Sequence, residues 1–195
     1  MARKVRRADS ADTGVFVKFS ELELQGAYLI TPELREDHRG FFCRTFCEEA
    51  FKERGLHLKI VQTNLSYNKR KGTLRGLHYQ ERPYEEAKVV ECRRGVMLDL
   101  MLDLRPESPT YKQWCAIELS DENRKMLFIP EGFAHGFQTL KDDTEVAYLM
   151  SEFYRPAASK GIRWDDPAFS ISWPIQNPIL SDRDQSYHPF EERSS

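Results

Sequence analysis

Two of the five histidines stand in unusual company. His78 lies in Gly-Thr-Leu-Arg-Gly-Leu-His-Tyr-Gln at 72–80, and His135 in Pro-Glu-Gly-Phe-Ala-His-Gly-Phe at 130–137. Imidazole titrates nearest neutrality of all side chains, so a histidine in a cavity can serve as a general base or as a metal ligand. Taken singly, each is more often a structural residue than a catalytic one. A strand over 72–80, however, aims His78 at one face of a β-barrel, and small barrels enclose ligand cavities. Arg75 and His78 differ by three positions, which a regular strand places on opposite faces. Both can face one cavity only if the strand is irregular at Gly76, as a glycine permits; otherwise Arg75 acts from a partner subunit or is structural.

The elements that must position these residues are mostly strands. Over 96–104 the chain reads Val-Met-Leu-Asp-Leu-Met-Leu-Asp-Leu. This period of two gives one aliphatic face and one face of Met97, Asp99, Met101 and Asp103, acids that either line a barrel or meet water. Further strands are expected at 27–31, 41–45, 59–66, 72–80, 87–93, 114–119, 125–129, 137–140, 145–153 and 171–173. Turn chemistry separates several, as at Arg94-Gly95 and Pro130-Glu-Gly132. One helix is expected between a capping box of Thr45 with Glu48 and a terminating Gly55. Many short strands with one early helix predict an all-β sandwich or small barrel with a few short helices. No repeat or linker divides the chain, so residues 1–195 form a single domain, with flexible tails at 1–15 and 188–195.

Composition narrows the class. Charged residues make up 31% of the 195 residues and the net charge is −2, which gives no reason to expect nucleic acid as a partner. No apolar run approaches the roughly 18 residues needed to cross a bilayer, so no membrane partner is expected. The basic start leads into Ala-Asp-Ser-Ala-Asp-Thr rather than an apolar signal core. Cys43, Cys47, Cys92 and Cys115 form neither a Cys-x-x-Cys pair nor a dense scaffold, which suits free thiols in the cytoplasm.

The string Pro-x-Gly-x-x-His at 130–135 resembles the second motif of the cupin superfamily. Metal-binding cupins carry His-x-His in their first motif; here His78-Tyr79-Gln80 offers one histidine where two are needed, and a metal is not expected. A closer resemblance, over about residues 27–184, is to the dTDP-4-dehydrorhamnose 3,5-epimerases, a metal-free cupin family. It is carried by Asp-His-Arg-Gly-Phe-Phe at 37–42, Val-Gln-Thr-Asn-Leu-Ser at 61–66, the two histidine strings, Leu-Asp-Leu-Arg at 102–105, Gly-Ile-Arg-Trp-Asp-Asp-Pro at 161–167 and Leu-Ser-Asp-Arg-Asp at 180–184.

The resemblance implies a cupin-like jelly roll, a homodimer in which one subunit helps close the other's site, and epimerisation of a nucleotide-linked 4-keto sugar without a cofactor. It makes His78 the base that takes a proton α to the ketone and Tyr148 the acid that returns one from the opposite face. Asp184 holds the His78 tautomer, with Asp182 as competitor because Ser-Asp-Arg-Asp can be slid by two residues. Arg75 and Arg39 bind the diphosphate or its surroundings, and Lys88 sits near the C4 oxygen. Gln62, Asn64 and His135 contact sugar or diphosphate, and Tyr154 stacks on the base. These types suit the chemistry: an α-proton leaves only if the enolate is stabilised by a cation or donor, and a carboxylate behind imidazole favours the imidazolium. Arginine's planar fork matches diphosphate oxygens.

The chain departs from the family pattern at Arg44 and over 157–160, where relatives carry glutamates that contact the nucleotide. The departures leave dTDP, GDP and CDP open as carriers. Inversion at C3, C5 or both also stays open, as do a ketoisomerase and a non-catalytic sugar-nucleotide-binding cupin.

Overall fold

A computed structural model describes residues 17–190. The tail expected at 1–15 lies outside the described residues. The chain runs β1 (Val17–Glu21), β2 (Tyr28–Pro32), β3 (Arg35–Asp37), β4 (Gly40–Phe42), α1 (Glu48–Lys52), β5 (Gln62–Asn68), β6 (Leu74–Gln80), β7 (Lys88–Arg94), β8 (Val96–Asp103), β9 (Trp114–Ser120), β10 (Met126–Ile129), β11 (Phe133–Thr139), β12 (Thr144–Met150), β13 (Ser159–Gly161) and α2 (Asp182–Gln185). A six-stranded sheet in the order β1-β2-β10-β7-β12-β5 faces a five-stranded sheet in the order β13-β6-β11-β8-β9, and β3 and β4 form a separate hairpin. This is a cupin-like jelly roll, as expected.

Period-two patterning explains the layers. Val90, Cys92, Leu127, Ile129 and Val146 of the first sheet meet Met97, Met101, Leu119, Phe133 and Phe137 of the second to form the central core. The aliphatic face of β8 is covered too: Leu100 and Leu102 pack with Ile162, Phe169 and Trp173 from the C-terminal segment. Asp99 and Asp103 are therefore fully buried rather than facing water. Phe190, in the stretch expected as a tail, packs its ring against Phe169 and donates its amide to Asp166.

Several expectations need correction. The helix begins at Glu48 after Cys47 as its N-cap, which makes no side-chain capping bond, so Thr45 and Glu48 form no capping box; Gly55, with φ of +73°, follows its end as expected. Burial of Phe51 against Phe19 and Phe128 anchors this short helix. β11 starts at Phe133, four residues before the expected 137: Gly132 ends the preceding turn as expected, whereas Gly136 sits inside the sheet. The strand expected at 41–45 ends at Phe42. Residues 171–173 pair with no strand; Trp173 instead plugs the outer face and donates to the Trp164 carbonyl. β1, β3 and β13 were not anticipated, and β13, with the sequence Ser-Lys-Gly, owes its strand form wholly to pairing with β6.

β6 carries the decisive irregularity. His78 pairs with His135 and Arg75 with Phe137, so three steps on β6 match two on β11. The extra residue is absorbed at Gly76, whose φ is +125°. A Cβ there would lie 2.5 Å from the Gly136 Cα, and one on Gly136 would lie 2.8 Å from the Arg75 carbonyl oxygen. The bulge turns Leu74 and Leu77 outward into the covering layer and leaves both Arg75 and His78 on the inner side.

Gly76→Ala combines a disfavoured φ with a backbone clash. It is expected to lower unfolding free energy by about 3 kcal/mol or more in a urea titration; an unchanged midpoint contradicts the close-approach explanation.

Candidate active site

The inner faces of the sheets separate at one end into a cavity of about 480 Å³. The five-stranded sheet contributes Arg75 and His78 from β6 and His135 from β11, while the six-stranded sheet contributes Gln62 and Asn64 from β5, Lys88 from β7 and Tyr148 from β12. Residues far apart in sequence thus meet because each occupies an inward position of its strand.

His78 is held from behind. Its Nε2 lies 2.6 Å from Oδ1 of Asp184. A parallel bridge between Thr73 and Ile179 lays the C-terminal segment along β6, and the Ser181 hydroxyl accepts from the Asp184 amide at the start of α2. Asp184 is buried and Asp182 is exposed, so the structure brings Asp184 to the imidazole. Burial acts to raise the Asp184 pKa. The hydrogen bond and charge of His78 oppose it, together with the Ser181 hydroxyl and the Gly76 amide, and hold the carboxyl below its ordinary value. An ionised carboxylate at Nε2 keeps the proton on that nitrogen and leaves the Nδ1 lone pair available as a base.

Tyr148 comes from the opposite sheet. Burial pushes its phenol pKa up, and the nearby Asp99 charge adds to this; Arg75 and a hydrogen bond with Ser66 act the other way without reversing it. The phenol therefore stays protonated through neutral pH, the state in which it can donate. Lys88 is almost fully buried, with Nζ 3.1 Å from Glu86 Oε1 and 3.2 Å from the His78 carbonyl oxygen. The Arg75 Nε donates to Asn68 Oδ1 at 2.7 Å, which leaves the outer amino groups of its fork unclaimed by that bond.

His135 repeats the arrangement of His78. Its Nε2 lies 2.6 Å from Oδ1 of the fully buried Asp99, and its ring meets that of Tyr148 edge-on at 6.2 Å. Gln80, where a metal cupin has its second histidine, uses its amide to stitch loops: it donates to the carbonyls of Tyr84 and Phe153 and accepts from the Arg155 amide.

Tyr154 stands at the rim, 56% exposed, with its amide donating to Gln62 Oε1. Arg183, which the sequence reasoning missed, also lines the cavity and donates to the Ser159 and Tyr154 hydroxyls. Its signal was its place between Asp182 and Asp184: in so short a segment, a residue beside a buried acid is carried to the same site. Arg39 is not brought to the cavity of its own chain. It sits on the β3–β4 hairpin, paired with Asp37, and its side chain is 78% exposed. Arg44 does not line the cavity of its own chain either.

The fold and site define a jelly-roll isomerase. The family model of the dTDP-4-dehydrorhamnose 3,5-epimerases matches residues 21–192. A protein of that name from Methanothermobacter thermautotrophicus is 45% identical over 90% of this chain and 95% of its own length. The crystal structure of the Bacillus anthracis enzyme with TDP and PPi bound superposes with a TM-score of 0.87 at 38% identity, covering 89% of this chain and 99% of that one. The Legionella pneumophila enzyme in complex with dTDP-4-keto-L-rhamnose has a TM-score of 0.82 at 35% identity, covering 87% and 90%. This chain belongs to the dTDP-4-dehydrorhamnose 3,5-epimerase family.

Two outcomes test the histidine–carboxylate geometry. Asp184→Asn is expected to lower kcat at least 100-fold while Asp182→Asn stays within about threefold of wild type; equal effects in steady-state kinetics contradict the assignment. Because the Asp184 carboxyl is held below its ordinary 3.8, its ionised form stabilises the fold above that pH, and the contribution is lost as pH falls through the lower folded-state value. Urea titrations from pH 7 to 3 should therefore show a shallower acid loss in Asp184→Asn than in wild type.

Proposed function

We propose that this chain inverts the carbons flanking the ketone of a dTDP-linked 4-keto-6-deoxy hexose, at C3 and C5, by proton transfer. The observation that carries this reading is that the carboxylate-backed imidazole of His78 and the phenol of Tyr148 line one cavity from opposing sheets. The ligands named for the related structures, TDP and dTDP-4-keto-L-rhamnose, support dTDP as the carrier.

The steps balance as proton transfers. Nδ1 of His78 takes the α-proton, and the C–H electron pair becomes the enolate, whose negative charge gathers on the C4 oxygen. The Lys88 ammonium, itself almost fully buried, stabilises that oxyanion. Tyr148 then gives its phenolic proton to the same carbon from the other face, which inverts it. Exchange with solvent restores both groups, and no carbon changes its net oxidation state across the cycle. Arg75 and Arg183 supply the charge for the diphosphate, Gln62, Asn64 and His135 contact sugar or diphosphate, and Tyr154 offers its ring to the base at the rim.

Arg39 enters through a second copy of the chain. Its hairpin projects exposed Phe41 and Phe42, apolar surface suited to a partner subunit, and in a homodimer it reaches the partner's cavity. Arg39→Ala is expected to raise KM about tenfold with little change in kcat; an unchanged KM contradicts this role.

In D2O, NMR should show deuterium entering both C3 and C5 of the dTDP 4-keto sugar with wild type and neither carbon with His78→Asn. Tyr148→Phe is expected to keep some exchange while product formation falls at least 100-fold. Exchange at one carbon selects a single-site epimerase. Exchange at neither, across dTDP, GDP and CDP carriers, overturns the reading.

A further inference from the structure

The inference concerns Asn68 and rests on the reading of the cavity as a nucleoside-diphosphate-sugar site. Asn68 closes β5, is 2% exposed and does not line the cavity. Its partners fix the orientation of its amide. Nδ2 donates to the Thr144 carbonyl at 3.1 Å and towards the Ser66 hydroxyl at 3.4 Å, so Oδ1 is the atom turned to Arg75, where it accepts from Nε at 2.7 Å. Asn68, on the six-stranded sheet, therefore reaches across to fix the arginine on the five-stranded sheet.

The chemical type matters. A carboxylate at this position would pair with the guanidinium and cancel its charge. A neutral amide fixes the side chain through Nε and leaves the full positive charge, with the outer amino groups, for an anion. A long arginine held in this way also loses less conformational freedom when the anion arrives.

We propose that Asn68 is a positioning residue that presents Arg75, unneutralised, to the substrate diphosphate. Its effect on diphosphate affinity passes through Arg75, and this separates the proposal from a general structural role.

The test is a double-mutant cycle on dTDP affinity, measured by calorimetry with the full-length chain. Asn68→Ala is expected to weaken dTDP binding about tenfold, and Arg75→Ala at least as much. The double variant should bind within twofold of Arg75→Ala alone, because the tether has nothing left to hold. A further tenfold loss in the Arg75→Ala background, or no loss in the wild-type background, overturns the proposal. Should Asn68→Ala not fold, Asn68→Asp runs the same cycle. It keeps an acceptor for Nε but adds a charge, so it should weaken binding in wild type and leave Arg75→Ala unchanged. A wild-type chain that binds no dTDP overturns the cavity reading itself, whereas wild-type binding with additive losses overturns this proposal alone.

Discussion

The backbones of β6 and β11 touch where Gly76 meets Gly136, and the rest of the site depends on that contact. A side chain on either glycine would enter the neighbouring backbone. Because neither has one, β6 can take in an extra residue and still pair. The bulge places Arg75 beside His78 on the inner face, where a regular strand would have sent one of them into the apolar cover. The imidazole that the bulge aims is held from behind by Asp184, 2.6 Å from its Nε2.

Charge is layered around the cavity. Asp184 stands behind His78, Asp99 behind His135 and Glu86 beside Lys88, while Arg75 and Arg183 reach the cavity from the front. Buried charges are tolerated only when paired or hydrogen-bonded, and each of these acids has a cationic or imidazole partner within about 3 Å. The arrangement matches what an enolate bearing a diphosphate needs: imidazoles held in place by carboxylates, and cations where substrate charge sits or develops. Asp103 follows the same rule without any part in the cavity. It accepts from Arg105, Ser108 and Thr110 and fixes the turn between β8 and β9.

Much of this was legible in the sequence. Alternation along 96–104 marked β8, and the two histidine strings with Leu-Ser-Asp-Arg-Asp pointed to residues that the fold does bring together. What was not legible depends on tertiary contact. Period-two patterning cannot say whether the second face of a strand is covered, so Asp99 stayed undecided until the opposing sheet buried it against His135. Gly136 lies within β11 and not ahead of it, so the start of that strand was placed too late. β13 has no apolar residue to mark it. Arg183 and Asn68 owe their importance to neighbours 24 and 7 residues away, and local spacing does not encode those contacts.

The most direct measurement of the central claim is a crystal structure of the inert His78→Asn variant with the dTDP-linked 4-keto sugar bound. The account predicts a hexose ring between residue 78 and the Tyr148 phenol, with C3 and C5 exposed to both, the C4 oxygen towards Lys88 and the diphosphate at Arg75. A ring with both groups on one face, or lying outside the space between the two sheets, contradicts it.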